Sequence, residues 1–209
     1  MSASRVAALH PRVSTRERLL IGAQQVIEEA GYGAASVIAI ADHAGVATGT
    51  LYRHFDSKEE LFVEVFRSVC SREERVIRAA ASALGPRASA VERIEVMLAT
   101  FAERALRNPR LAWALIAEPV DRLVEVERLA YRGRYARAVA EDLRAAIAAG
   151  EAPAQDADLT AAALVGGCGE ALVGPLSPLT GQPPVPGEVV AALRIFVRRA
   201  VGAEAAARR

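Results

Sequence analysis

Between residues 14 and 61 apolar residues recur at helical spacing, and glycines cut the runs short. This pattern dictates three helices folded back on one another. The first run carries Leu19, Leu20, Ala23, Val26, Ile27 and Ala30, spaced as one buried stripe. Ser14-Thr15-Arg16-Glu17 opens it as a capping box: the Ser14 hydroxyl accepts from the Glu17 amide, and the Glu17 carboxylate reaches back. Gly31-Tyr32-Gly33 ends it. Ser36 then caps a second helix over 37–44, with Val37, Ile40, Ala41 and Ala44 on one side. Gly45 breaks that helix, at a turn that needs a residue tolerant of positive φ. A third helix, about 48–54, turns Leu51 and Phe55 inward.

Two short helices joined at a glycine, with a first helix behind them, make a tri-helical unit of the kind that enters a DNA major groove. The outer face of the third helix carries Thr48, Thr50, Tyr52 and His54. Their hydroxyls and imidazole can reach phosphates and base edges, and a thymine methyl can pack on threonine. Tyr52 could instead be a core tyrosine with an exposed hydroxyl, though Leu51 and Phe55 already supply the inward face, and Thr48 could serve only as a cap. Ser36 and Arg16 are further expected DNA contacts. Arg16 belongs to a basic stretch with Arg5, Arg12 and Arg18 that could also be a solvated face.

Residues 36–61, SVIAIADHAGVATGTLYRHFDSKEEL, resemble the signature of the TetR/AcrR family of transcriptional regulators. The likeness rests on Ile40-Ala41, Ala44-Gly45-Val46, Gly49-Thr50-Leu51-Tyr52, His54-Phe55 and Ser57-Lys58-Glu59 in ungapped register. The resemblance implies that the third helix is the recognition helix and that Lys58 contacts a DNA phosphate. Lys58 is the only lysine in the chain, and it sits in the first turn of a helix, against the dipole preference for a cation. Two positions depart from the family pattern. Ala47 stands where a serine commonly caps the recognition helix, which passes the capping role to Thr48. Ile38 stands where relatives carry a polar or arginine side chain. The family also implies a homodimer, double-stranded operator DNA as partner and a small-molecule effector that releases it.

Beyond Pro86 the helices are longer, at about 87–107, 120–149, 156–173 and 187–204, with a short one at about 110–117 and a proline-rich loop over 174–186 that is expected not to be helical. Ser57-Lys58-Glu59-Glu60 forms a second capping box that opens a helix running to about Leu84. That helix is expected to be the only element linking a head of residues 1–60 to an effector-binding and dimerisation domain of 61–209. Met97, Phe101, Trp113, Ile116, Tyr131 and Tyr135 are the larger apolar side chains of the second domain and are expected to line an effector pocket. Gly166-Gly167-Cys168-Gly169 lies inside a helix, where each glycine costs about 1 kcal/mol relative to alanine. Close approach of a second copy's helix would offset that cost. Glu170, just beyond, is read as an interface residue, a ligand contact or a solvated edge.

Composition agrees with an all-α fold. The chain is 52% hydrophobic but only 5% aromatic, and it is rich in the strong helix formers alanine and leucine. The net charge of +1 requires any DNA-binding charge to be local. Cys70 and Cys168 fall in no metal-ligand or disulfide pattern and are read as small buried apolar residues. His10, His43 and His54 fall in no ligand pattern either, and no catalytic constellation is visible. No cofactor, metal or membrane partner is therefore expected. The start of the chain lacks an apolar signal core, and no run of about 18 uncharged apolar residues occurs, so a cytoplasmic protein is expected. The competing readings are an activator of the same family and a helical small-molecule binder without DNA-dependent function.

Overall fold

Caps written into the local sequence set where the helices begin. The computed structural model describes residues 13–179 and 185–202. Its regular elements are α1 (Thr15–Ala30), α2 (Val37–Ala44), a 3-10 helix (Thr48–Arg53), α3 (Lys58–Ser82), α4 (Ala90–Arg107), α5 (Pro109–Ile116), α6 (Arg122–Ala148), α7 (Ala157–Leu176) and α8 (Pro186–Ala200). The fold is all-α, as composition and periodicity imply.

At α1 the capping box is complete: the Glu17 amide donates to the Ser14 hydroxyl at 3.2 Å, and the Ser14 amide donates to the Glu17 carboxylate at 2.8 Å. At α3 the box is displaced. The Ser57 hydroxyl accepts from the Glu60 amide at 3.1 Å, but the Glu60 carboxylate reaches the amide of Asp56, one residue further out, at 2.6 Å. Two expectations are corrected. The 3-10 helix begins at Thr48 behind Ala47 as its N-cap residue, with no side-chain cap, so Thr48 does not take over the capping role. Helix α7 runs on through Pro175 to Leu176, into the stretch expected to be loop. Pro175 lies in the last turn, so it removes a single ladder bond and the helix stops one residue later.

The chain forms two compact units. One takes the described residues up to Val69 together with Asn108–Arg128, and the other takes Cys70–Arg107 together with the described residues from Leu129 onward. The division therefore does not follow chain order in one step: α5 and the first turns of α6 belong with the head. Two helices, α3 and α6, contribute to both units, where the sequence suggests one link.

In the first unit, Leu19 and Ala23 of α1 pack with Ile40, Ala41 and Ala44 of α2, and all are fully buried. Leu51 and Phe55 close this core from the 3-10 helix side. Gly45 adopts φ +62 at the end of α2, the left-handed conformation the turn requires. Arg18 secures that end by donating to the carbonyls of Ala44, at 2.9 and 2.6 Å, and Gly45, at 2.6 Å. A cation at a helix C-terminus is favoured by the dipole.

In the second unit, Ile94, Leu143, Leu164, Cys168 and Val197 form the core. Glu95 of α4 is buried beneath α8 and takes hydrogen bonds from Arg194 at 2.9 Å and Arg198 at 2.5 Å. Helix α7 is long and apolar enough by composition to cross a membrane, although it carries Asp158 and Glu170. Its buried side, with Ala161, Leu164, Cys168, Leu172 and Leu176, belongs to this core.

Candidate nucleic-acid interface

The inward and outward faces of the 3-10 helix separate cleanly. Leu51 and Phe55 are buried, while Thr48, Tyr52 and His54 are exposed, Tyr52 to 58%. Thr50 is half-buried. Ile38, at the start of α2, is also exposed, to 64%. The helix follows i→i+3 hydrogen bonds, Thr50 amide to Ala47 carbonyl at 2.8 Å and His54 amide to Leu51 carbonyl at 3.0 Å. A 3-10 helix is narrower than an α-helix, which suits entry into a groove.

The expected flanking contacts are engaged within the fold. Ser36 caps α2 by accepting from the Ala39 amide at 3.1 Å. Arg16 pairs with Glu64 of α3 and stacks over Phe55, 4.8 Å from the ring centroid. Lys58 lies 5.5 Å over the ring of Phe62. Arg18 is the cap on α2 already described. Arg5, Arg12 and His10 lie outside the described residues. Among the described residues, no group of three or more His, Cys, Asp or Glu is placed to hold a metal.

The six residues expected to form one pocket are dispersed. Met97, Phe101 and Tyr135 line a cavity in the second unit, with Ile77, Leu98, Val139 and Val165, and with Glu74 and Arg78 at its polar edge. The Phe101 and Tyr135 rings lie 6.0 Å apart. Burial and the nearby carboxylates push the Tyr135 phenol pKa well up. Tyr131 is buried away from this lining, its hydroxyl 2.7 Å from that of Ser71 and its ring under Arg134. Trp113 and Ile116 sit on α5, in the first unit. Periodicity marks them as inward-facing but cannot say which core they enter. The cavity is small, about 30 Å³. That volume holds a water or two, whereas ligand pockets run to about 300–1,000 Å³.

A second surface is apolar without being enclosed. Leu159 of α7 and Ile195 and Phe196 of α8 are 69%, 50% and 42% exposed. The space that a side chain would fill at Gly166 and Gly169 is open, and only Gly167 of this trio meets a neighbour, the ring of Phe196 at 3.3 Å.

A family profile described as bacterial regulatory proteins, tetR family, matches residues 19–65, the stretch that builds the exposed 3-10 helix and its support. The chain is 47% identical over 57 residues to the transcriptional activator FasR of Mycolicibacterium smegmatis, covering 27% of this chain and 26% of that protein. It is 32% identical over 133 residues to the transcriptional repressor KstR of Mycobacterium tuberculosis, covering 60% of this chain and 58% of that one. The matches thus span less than two thirds of these relatives. Among solved structures, a fatty acid degradation regulator FadR of Bacillus halodurans superposes with a TM-score of 0.72 at 21% identity, over 88% of this chain and 94% of that one. FadR of Bacillus subtilis in complex with stearoyl-CoA gives 0.70 at 20% identity, over 89% and 97%.

Proposed function

We propose, because this chain belongs to the TetR/AcrR family of transcriptional regulators, that it is a homodimeric repressor released from operator DNA by a small apolar effector. The observation that carries the reading is the exposed face of the 3-10 helix, with Thr48, Tyr52 and His54 turned to solvent over a closed core. Those three, with Thr50, reach base edges, and Lys58, Ser36 and Arg16 lie toward the phosphates. Removing one interaction with a base or an ordered phosphate costs about 1–3 kcal/mol.

The dimer forms through α7 and α8. Among the described residues, glycine at positions 166 and 169 meets no neighbour that would justify it, so the close approach that offsets its helix cost comes from a second copy. Leu159, Ile195 and Phe196 are covered in the same contact. One recognition head per chain then becomes two, reading an imperfect palindrome with half-sites about 34–36 Å apart.

The effector enters beside Met97, Phe101 and Tyr135. The lining is apolar apart from Glu74, Arg78 and the Tyr135 hydroxyl, so the ligand has an apolar chain. Because the cavity holds only water-sized volumes, binding must part α4 and α6, and the ligand favours a different arrangement from the ligand-free one. Stearoyl-CoA, bound in a protein of similar fold, is the first probe. The protein acts in the cytoplasm, where its DNA lies.

Selection of duplexes from a random DNA pool, followed by mobility shift, tests the reading. A palindromic consensus is expected, as is release by an acyl-chain ligand. Failure to enrich any sequence overturns it. The kinship with FasR, an activator, favours activation as the second reading. A reporter carrying the selected site separates the two: repression rises or falls with the intact protein.

A further inference from the structure

We propose that Glu118 and Asp121, in the corner between α5 and α6, are positioning residues for the DNA-reading helices. They clamp the turn between α1 and α2 and tie it to α6. The proposal rests on the DNA-binding reading above.

The clamp grips backbone. The Glu118 carboxylate accepts from the amides of Tyr32 at 2.9 Å and Gly33 at 3.0 Å. Gly31 makes room for it: a side-chain carbon there would stand 3.3 Å from the carboxylate, and its φ of +88 already demands glycine. A carboxylate beside the C-terminus of α1 opposes the helix dipole. Two charge-assisted N–H bonds offset that cost and fix the turn's geometry. The Tyr32 hydroxyl donates to Asp121, and its ring packs 4.7 Å from Phe62 of α3. Burial and the Asp121 contact push the Tyr32 phenol pKa well above its ordinary value. Asp121 also caps α6, accepting from the amides of Leu123 at 2.8 Å and Val124 at 3.2 Å.

The corner is itself pinned from α6. Arg128, only 8% exposed, donates to the carbonyls of Leu115 at 3.0 Å, Ala114 at 3.2 Å and Glu118 at 2.9 Å, closing the C-terminal end of α5. An unbroken chain of hydrogen bonds thus runs from α6 through Arg128 and Glu118 to the amides of Tyr32 and Gly33. Three residues beyond Gly33, Ser36 caps α2, which carries the 3-10 helix. A shift in the first turns of α6 is therefore passed to the recognition surface by polar contacts that do not involve α3. Further along, α6 also contributes Tyr135 and Val139 to the cavity lining.

Trp113, the only tryptophan, gives the test. It lies on α5, where its carbonyl accepts from the amides of both Ala117 and Glu118 at 2.9 Å. The probe is a duplex that the wild-type protein selects from random DNA. In wild type, saturating duplex is expected to shift Trp113 emission. In the double variant Tyr32→Phe, Glu118→Gln the shift should fall by at least half, and affinity should drop about tenfold, within the usual range of site-to-site coupling. Sedimentation and helical content should stay unchanged. If the double variant does not fold, Tyr32→Phe alone, which keeps the ring on Phe62, is read against Asp121→Asn. Amide exchange at Tyr32 and Gly33 is then expected to quicken in the free protein and less so on DNA. Unaltered emission response and affinity in the variants overturn the clamp. A wild-type Trp113 signal that ignores bound DNA also overturns it. A wild-type chain that selects no DNA at all overturns the functional reading beneath it.

Discussion

Lys58 occupies the first turn of α3, where the helix dipole disfavours a cation, and its ammonium lies over the Phe62 ring. A phosphate is the partner that would repay this placement. Lys58→Ala should weaken binding to all duplexes alike and reduce the slope of log K against log salt by about 0.9 for each phosphate no longer neutralised. A changed base preference instead would place Lys58 among the base-reading residues. A second residue-level expectation concerns acid. Burial raises the pKa of Glu73, but its hydrogen bond and charge contact with Arg104, together with the Arg72 charge, outweigh this and hold it below the ordinary carboxylate value of 4.5. A depressed folded-state pKa contributes stability that is complete above the unfolded value and is lost as pH falls through the folded one. The stability gap between wild type and Glu73→Gln, read from urea midpoints, should therefore be widest near neutrality and close below about pH 4. A gap that widens in acid refutes the assignment. At this scale the sequence was informative about faces and silent about partners. The spacing of Leu51 and Phe55 already sets Tyr52 and His54 outward. Nothing in the letters tells that Arg16 meets a glutamate 48 residues away or that Arg18 caps a neighbouring helix.

Helix boundaries were legible wherever a cap is local, as at Ser14, Ser36 and Gly45, because the stabilising bond lies within four residues of its donor. They were less legible at Pro175, where the rule that proline ends helices overlooks how little a last turn loses. Assignment of α5 to a unit was not legible at all. Its apolar stripe fits any core, and it is the packing of α5 against α1, with the long-range grip of Glu118 on the Tyr32 turn, that shows which one it joins. The join between α4 and α8 yields an asymmetric prediction. Glu95 is buried, whereas Arg194 and Arg198 retain side-chain exposures of 38% and 51%. Replacing both arginines by methionine strands a carboxylate in the core and should cost about 3–5 kcal/mol. Glu95→Gln leaves the two guanidinium groups within reach of water and should cost distinctly less. Denaturant unfolding at one fixed protein concentration compares them. Equal losses would mean that the carboxylate is hydrated after all.

For the molecule as a whole, the open space around Gly166 separates the monomer's needs from those of an assembly. Gly166→Leu should be accepted by the single chain, even raising helix stability by up to about 1 kcal/mol, since leucine is the better helix former. It should nevertheless block the proposed α7 contact between copies. Sedimentation at micromolar concentration is expected to show a dimer for wild type and a monomer for this variant, with operator binding abolished alongside. A variant that remains dimeric would move the interface off this face. The division into units carries a further consequence for inheritance. The polypeptide enters the first unit twice, up to Val69 and again over Asn108–Arg128. A single crossover within α3, whether made by recombination or by a protein engineer, transfers α1, α2 and the 3-10 helix but leaves Glu118, Asp121 and Arg128 behind in the recipient. Such a chimera would read DNA on a foreign footing unless the recipient's corner happens to offer the same acceptors to the Tyr32 turn. Heads of this kind should therefore travel with their own corner, and grafts that carry residues 108–128 along should keep their specificity where simpler grafts lose it.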